Sequence, residues 1–147
     1  MRTIRALFPV LIVCCAPAWA ALGQPAESVE SDRRALQGQI RSSVLQGYTL
    51  HEITRADGTV VREFVSPAGI VFGVSWDGPA LPNLSQLLGA YFAQFQQAAR
   101  AGVRRRGPVS VHTKTLVIES GGHMRSFHGR AYLSSHLPDN MTQEVVK

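Results

Sequence analysis

Residues 69–95 read GIVFGVSWDGPALPNLSQLLGAYFAQF, and how this stretch is parsed decides the fold. After Gly69, the residues Ile70 to Trp76 alternate and are rich in β-branched and aromatic side chains, which is the pattern of a half-buried strand. Asp77-Gly78-Pro79 then reads as a turn. From Asn83 the period changes. Leu84, Leu87, Leu88, Tyr91, Phe92, Phe95 and Ala99 recur at three- and four-residue intervals, which places them on one face of a helix. Asn83 is a good N-cap with Gln86 three residues on, an arrangement like a capping box. Gly102 is a natural stop, and Arg100 complements the carbonyl end of the helix.

On the N-terminal side of this stretch, Thr59 to Ser66 and Tyr48 to Thr54 are further strands. Ala56-Asp57-Gly58 and Ser66-Pro67-Ala68-Gly69 supply the hairpin turns, because glycine accepts positive φ and proline sets one central dihedral. The three strands form an antiparallel meander. Alternation assigns Val60, Arg62 and Phe64 to one face and Val61, Glu63 and Val65 to the other, and it groups Ile70, Phe72, Val74 and Trp76 on a single core face. Gly73 interrupts that strand, as glycines do at a bulge or where another element approaches closely.

On the C-terminal side, Val109 to Glu119 and Arg125 to Leu133 are strand candidates joined at Ser120-Gly121-Gly122-His123. The economical packing is an α+β domain of about five mostly antiparallel strands, in the order β-β-β-α-β-β, with one long helix on one face. Residues 48–134 form this globular part. Residues 21–47 read as a mobile leader, with a short helix over Ser31 to Arg41, and residues 135–147 as a tail.

The first twenty residues are expected to leave the protein. Arg2 and Arg5, the apolar run Ala6 to Ala16 and the Ala18-Trp19-Ala20 cleavage pattern are the three parts of a secretory signal. The apolar run is shorter than the roughly 20 residues a bilayer span needs. A lipid anchor at Cys14 or Cys15 fits less well, because Val13 stands where a small residue would be wanted. Cleavage after Ala20 leaves 127 residues and removes both cysteines, which excludes disulfides and thiolate chemistry from the mature chain. It also removes two arginines, lowering the formal net charge from +5 to +3. So small a charge gives a weak preference for anionic surfaces, and a periplasmic or secreted location argues against nucleic acid as a partner.

Two clusters carry possible chemistry. Arg100, Arg104, Arg105 and Arg106 could grip phosphate or carboxylate groups, as on an anionic envelope component or another exported protein; a solvated loop is the alternative. Glu119, His123 and His128 offer carboxylate and imidazole ligands for a metal. Their spacing matches no established motif, and strand alternation through His123 and His128 would turn them to opposite faces. Gly121-Gly122 could present backbone N–H groups as an anion nest beside Arg125, although paired glycines in a hairpin usually serve positive φ alone. A Ser75, Asp77 and histidine triad lacks the small residues of a nucleophile elbow. No cofactor is called for.

GIVFGVSWDGPALPNLSQLLGAYF, with GTVVREFVS before it and LVIESGGHMRSFHGRAYL after it, resembles the short exported proteobacterial proteins catalogued as domain of unknown function family 2844. The resemblance runs from Ala21-Leu22-Gly23 to Pro138. It implies export and one small domain, and it supplies no substrate or catalytic residue. Taken together, these readings favour a non-enzymatic binding or interaction module over a metal-dependent enzyme built on Glu119, His123 and His128.

Overall fold

The structure is a computed structural model that describes residues 22–102, 107–139 and 141–147. The expected leader peptide and Arg104, Arg105 and Arg106 lie outside the described residues. In chain order the elements are α1 (Ser28–Leu36), β1 (Gln39–Leu45), β2 (Tyr48–Thr54), β3 (Val60–Val65), β4 (Val71–Gly78), α2 (Leu84–Leu88), α3 (Phe92–Gly102), β5 (Val109–His112), β6 (Leu116–His123) and β7 (Ser126–Leu133). The strands form one antiparallel sheet in the order β1-β2-β3-β4-β7-β6-β5. The helical crossover carries the chain from β4 at the centre to the far edge, and two hairpins bring it back to pair β7 with β4.

The expected meander is present as β2, β3 and β4. Thr59 N–H donates to the Asp57 carboxylate at 2.8 Å, and Gly58 and Gly69 take φ of +85° and +77° in the two turns. The sheet has seven strands rather than about five. β1 is an additional edge strand in the segment expected to be a mobile leader with a helix over Ser31 to Arg41. That helix instead ends at Leu36, where Gln37 takes a left-handed conformation. The single strand expected over Val109 to Glu119 is broken after His112, because Thr113 Oγ1 accepts from the Leu116 and Thr115 amides and closes a turn.

The second half of β4 reverses the face assignment. Phe64 pairs with Gly73, but Val65 pairs with Val71, so Phe72 is an extra residue at a β-bulge. Phe72 therefore joins Phe64, Val117, Tyr132 and Val146 on one side of the sheet. Val74 and Trp76 join Val61, Ile118, Ala131 and the leucines of α2 on the other. Both expected roles of Gly73 apply: it adjoins the bulge, and a Cβ there would lie 2.7 Å from Val146 Cγ2.

Two cores result. The helices cover one face, where Leu84, Leu87 and Leu88 are buried and Tyr91, Phe92 and Phe95 pack against them, as the helical stripe suggested. Each fully buried side chain of this size contributes about 1.5–3 kcal/mol. The helical stretch from Leu84 to Gly102 is interrupted at Gly89, which ends α2 at φ +49° and ψ −122°, and a 3₁₀ turn over Gly89–Tyr91 leads into α3. The opposite face is covered by the C-terminal tail, where Leu137, Met141 and Val145 pack on the cluster around fully buried Val146.

The segment before β1 also belongs to the core. Leu22, Val29 and Leu36 are buried, and Gly23 and Ala26 N–H groups donate to the Val71 and Gly69 carbonyls. Asn83 caps α2 as expected, its side chain accepting from the Gln86 amide. The Gln86 side chain does not complete a capping box; it donates to Asp32 Oδ1 of α1 at 2.7 Å.

Candidate functional site: a charged row beneath the tail

Antiparallel register turns scattered residues into rows. Arg41, Glu52, Arg62, Ser75, Arg130, Glu119 and Ser110 are successive cross-strand partners from β1 to β5. They lie on the tail-covered face, since Arg62 and Arg130 precede Phe64 and Tyr132 by one full alternation. Each arginine of the row has a glutamate as a cross-strand neighbour. Arg62 Nε donates to Glu52 Oε1 at 3.1 Å, and Arg130 Nε donates to Glu119 Oε2 at 2.8 Å. His112 Nε2 lies 3.2 Å from Glu119 Oε1.

Ser75 stands between the two arginines and is buried. Its hydroxyl donates to the Lys147 carbonyl at 2.6 Å, while Arg130 Nη1 donates to the Val146 carbonyl at 3.3 Å. The row therefore holds the end of the tail by its backbone. The Arg130 guanidinium carbon also sits 5.9 Å from the centre of the Tyr132 ring, and the Tyr132 hydroxyl bonds to Gln143. Burial pushes the Tyr132 phenol above its usual range.

The next row holds Val60, Asp77, His128 and Gly121. Asp77 is part of β4 rather than a turn residue and is the direct partner of His128. The absence of a side chain at Gly121 makes room for the His128 ring, whose Nε2 would be 3.2 Å from a Cβ there. A cavity of about 550 Å³ opens along these rows and is lined by Arg62, Asp77, Ser110, Glu119, His128, Arg130 and Lys147, with Trp76, Pro108 and Val109 adding apolar surface. A volume of that size suits a small organic group or a short peptide segment.

The structure places the expected site residues unevenly. Glu119 lies on the cavity, committed to Arg130 and His112. His123 and His128 share its face, contrary to the expectation that alternation would separate them, because the chain reverses between them. The turn is Met124-Arg125, with both residues at positive φ, and not Ser120 to His123. Gly121 and Gly122 are strand residues, so no nest forms there. Among the described residues no three His, Cys, Asp or Glu side chains form a group that could hold a metal ion. Ser75 is spent on the tail and faces no histidine in its row, which removes the triad. Arg100 is exposed in the last turn of α3, and no described helix is long and apolar enough to cross a membrane.

Arg62, Ser110 and Lys147 are polar cavity residues that sequence reasoning missed. The signal that could have found Arg62 is register: counting back from the Asp57-Gly58 turn gives the Glu52–Arg62 pair. The β4–β7 pairing that adds Arg130 has no local signal.

A family model described as protein of unknown function (DUF2844) matches residues 18–146. No curated protein and no solved structure matches the chain.

Proposed function

The chain belongs to the DUF2844 family, and we propose that it is an exported, non-enzymatic binding module that takes an anionic group in the cavity beside the charged row. The observation that carries this reading is the placement of Arg62 and Arg130 on either side of Ser75, both on the cavity wall. Arg62 is held by Glu52 through Nε, which fixes the plane of the guanidinium and leaves its terminal nitrogens to form a bidentate contact. Glu52 and Glu119 offset part of the positive field, so affinity for anions is modest and salt-sensitive. Arg100, Arg104, Arg105 and Arg106 extend the same preference in a segment that runs on into Pro108 of the cavity wall. Export rests on the signal-like residues 1–20, and cleavage after Ala20 would leave buried Leu22 in place.

The test uses vesicles containing phosphatidylglycerol and an acidic peptide as probes, at low and high salt. Binding that weakens with salt and falls several-fold in Arg62→Gln and Arg130→Gln supports the cavity; loss only when Arg104, Arg105 and Arg106 become Ala moves the site to the loop. Absence of salt-dependent binding to either probe removes the anion reading.

A further inference from the structure

Among the described residues the outer edge of β1 is an open strand edge with the features of a self-pairing surface. All seven residues of β1 pair with β2 without a register shift, so the edge is regular along about 23 Å. Edge strands that must stay unpaired carry charged side chains, proline or a bulge; Gln39 to Leu45 has no lysine, proline or bulge, and its one charge is Arg41, the cross-strand partner of Glu52. Three of the five exposed large hydrophobic residues among those described lie on this strand: Ile40 at 38 %, Val44 at 86 % and Leu45 at 43 % exposed. The opposite edge, β5, has only four residues and is packed against α3.

We propose that two copies of the chain pair β1 with β1 in antiparallel register about a two-fold axis at Ser42. The register follows from three requirements. It overlaps all seven residues. It keeps the helices of both copies on the same side of a continuous sheet, which demands that even-numbered residues meet even-numbered ones. It sets Ile40 of one copy against Val44 of the other, twice, burying the most exposed aliphatic side chain of the strand. Arg41 then faces Ser43 and Gln39 faces Leu45, so no like charges oppose each other. The surface is self-complementary, as an isologous interface requires, and the occupant is therefore a second copy rather than an unrelated strand.

The experiment is sedimentation equilibrium across a wide concentration range, on protein purified from an exporting host. The wild-type protein shows a concentration-dependent dimer. Ile40→Lys with Val44→Lys places like charges opposite one another at both sites and weakens association by roughly tenfold or more. Ile40→Glu with Val44→Lys restores association, because the introduced carboxylate of each copy then faces the introduced ammonium of the other, and high salt abolishes the restoration. Circular dichroism on each variant confirms that the sheet is retained. A wild-type protein that stays monomeric, a dimer indifferent to the paired lysines, or a failure of the charge-reversed pair to recover while remaining folded overturns the proposal.

Discussion

Asp32 of α1 and Glu63 of β3 face each other inside the protein, each only 1 % exposed, where the first helix meets the sheet. Gln86 donates to Asp32, whereas neither Glu63 oxygen has an N–H or hydroxyl donor. Two facing buried carboxylates disfavour each other's charge, so the pair favours keeping a proton, and the larger upward shift of Glu63 makes it the proton's site with Asp32 as acceptor. Burial, and then the charge of Asp32, push the Glu63 carboxyl well above its usual 4.5. Burial raises Asp32 as well.

The sign of the pH dependence follows from these shifts. A carboxyl whose folded value lies above its unfolded value stabilises the fold fully below about pH 4.5, and that contribution is lost as pH rises through the folded value. His51, the cross-strand partner of Glu63, acts oppositely: burial lowers it, so its contribution is present above pH 6.5 and is lost on acidification. Urea midpoints of the wild type will fall as pH rises from about 4.5 through the folded value of Glu63. Glu63→Gln keeps a donor to Asp32 without a titrating proton and will flatten that limb while leaving the acid limb in place. An unchanged alkaline slope in the variant would refute the shared proton.

Trp76 passes over Gly129. A Cβ on residue 129 would lie 2.3 Å from Trp76 Cζ2 and 2.6 Å from the Glu119 carbonyl, and neither the ring nor the β6 backbone can retreat. Gly129→Ala should therefore cost at least the roughly 1–3 kcal/mol typical of core overpacking, with a change in tryptophan emission. Gly107, which is exposed with open space around its Cβ position, is the control. Gly107→Ala leaves the denaturation midpoint within about 0.5 kcal/mol of wild type.

Local chemistry explains which parts of this fold were legible in the sequence. The meander was, because Asp57-Gly58 and Pro67 to Gly69 force turns and the valines between them alternate. β1 was not, because an edge strand buries little and QIRSSVL carries no strong period. The Thr113 turn has neither glycine nor proline and depends on a threonine hydroxyl. The bulge at Phe72 shifts the alternation by one residue, which sequence cannot reveal without the partner strand. The charged row was less legible still: Arg62 and Arg130 lie in opposite halves of the chain, and only the β4–β7 pairing brings Arg130 beside Ser75.

Gly73 and Val146 test whether the tail is part of the folded unit. Gly73→Ala brings a Cβ within 2.7 Å of Val146 Cγ2 and should destabilise by about 1–3 kcal/mol. Val146→Ala empties a fully buried site and should cost about 2 kcal/mol. In the double variant the methyl that is added fills part of the space that is vacated. The two costs will fall short of additivity by about 1 kcal/mol in urea denaturation. Strict additivity would mean that the tail does not pack on β4.

Met124 and Arg125 form a two-residue hairpin loop at φ of +50° and +67°, positions that asparagine and glycine occupy at far lower strain. Left-handed backbone costs an ordinary residue about 1–2 kcal/mol, and nothing in the core repays it, since Met124 is 90 % exposed. Replacing the pair with Asn-Gly should stabilise the protein by about 1–2 kcal/mol and slow unfolding, measured by urea midpoint and by stopped-flow. The replacement removes Arg125 but touches no residue of the charged row, whose register is set beyond the turn by the Glu119–Arg130 pair. Anion binding at the cavity should therefore survive in the stabilised variant. Loss of binding there would move the site from the row to the hairpin tip.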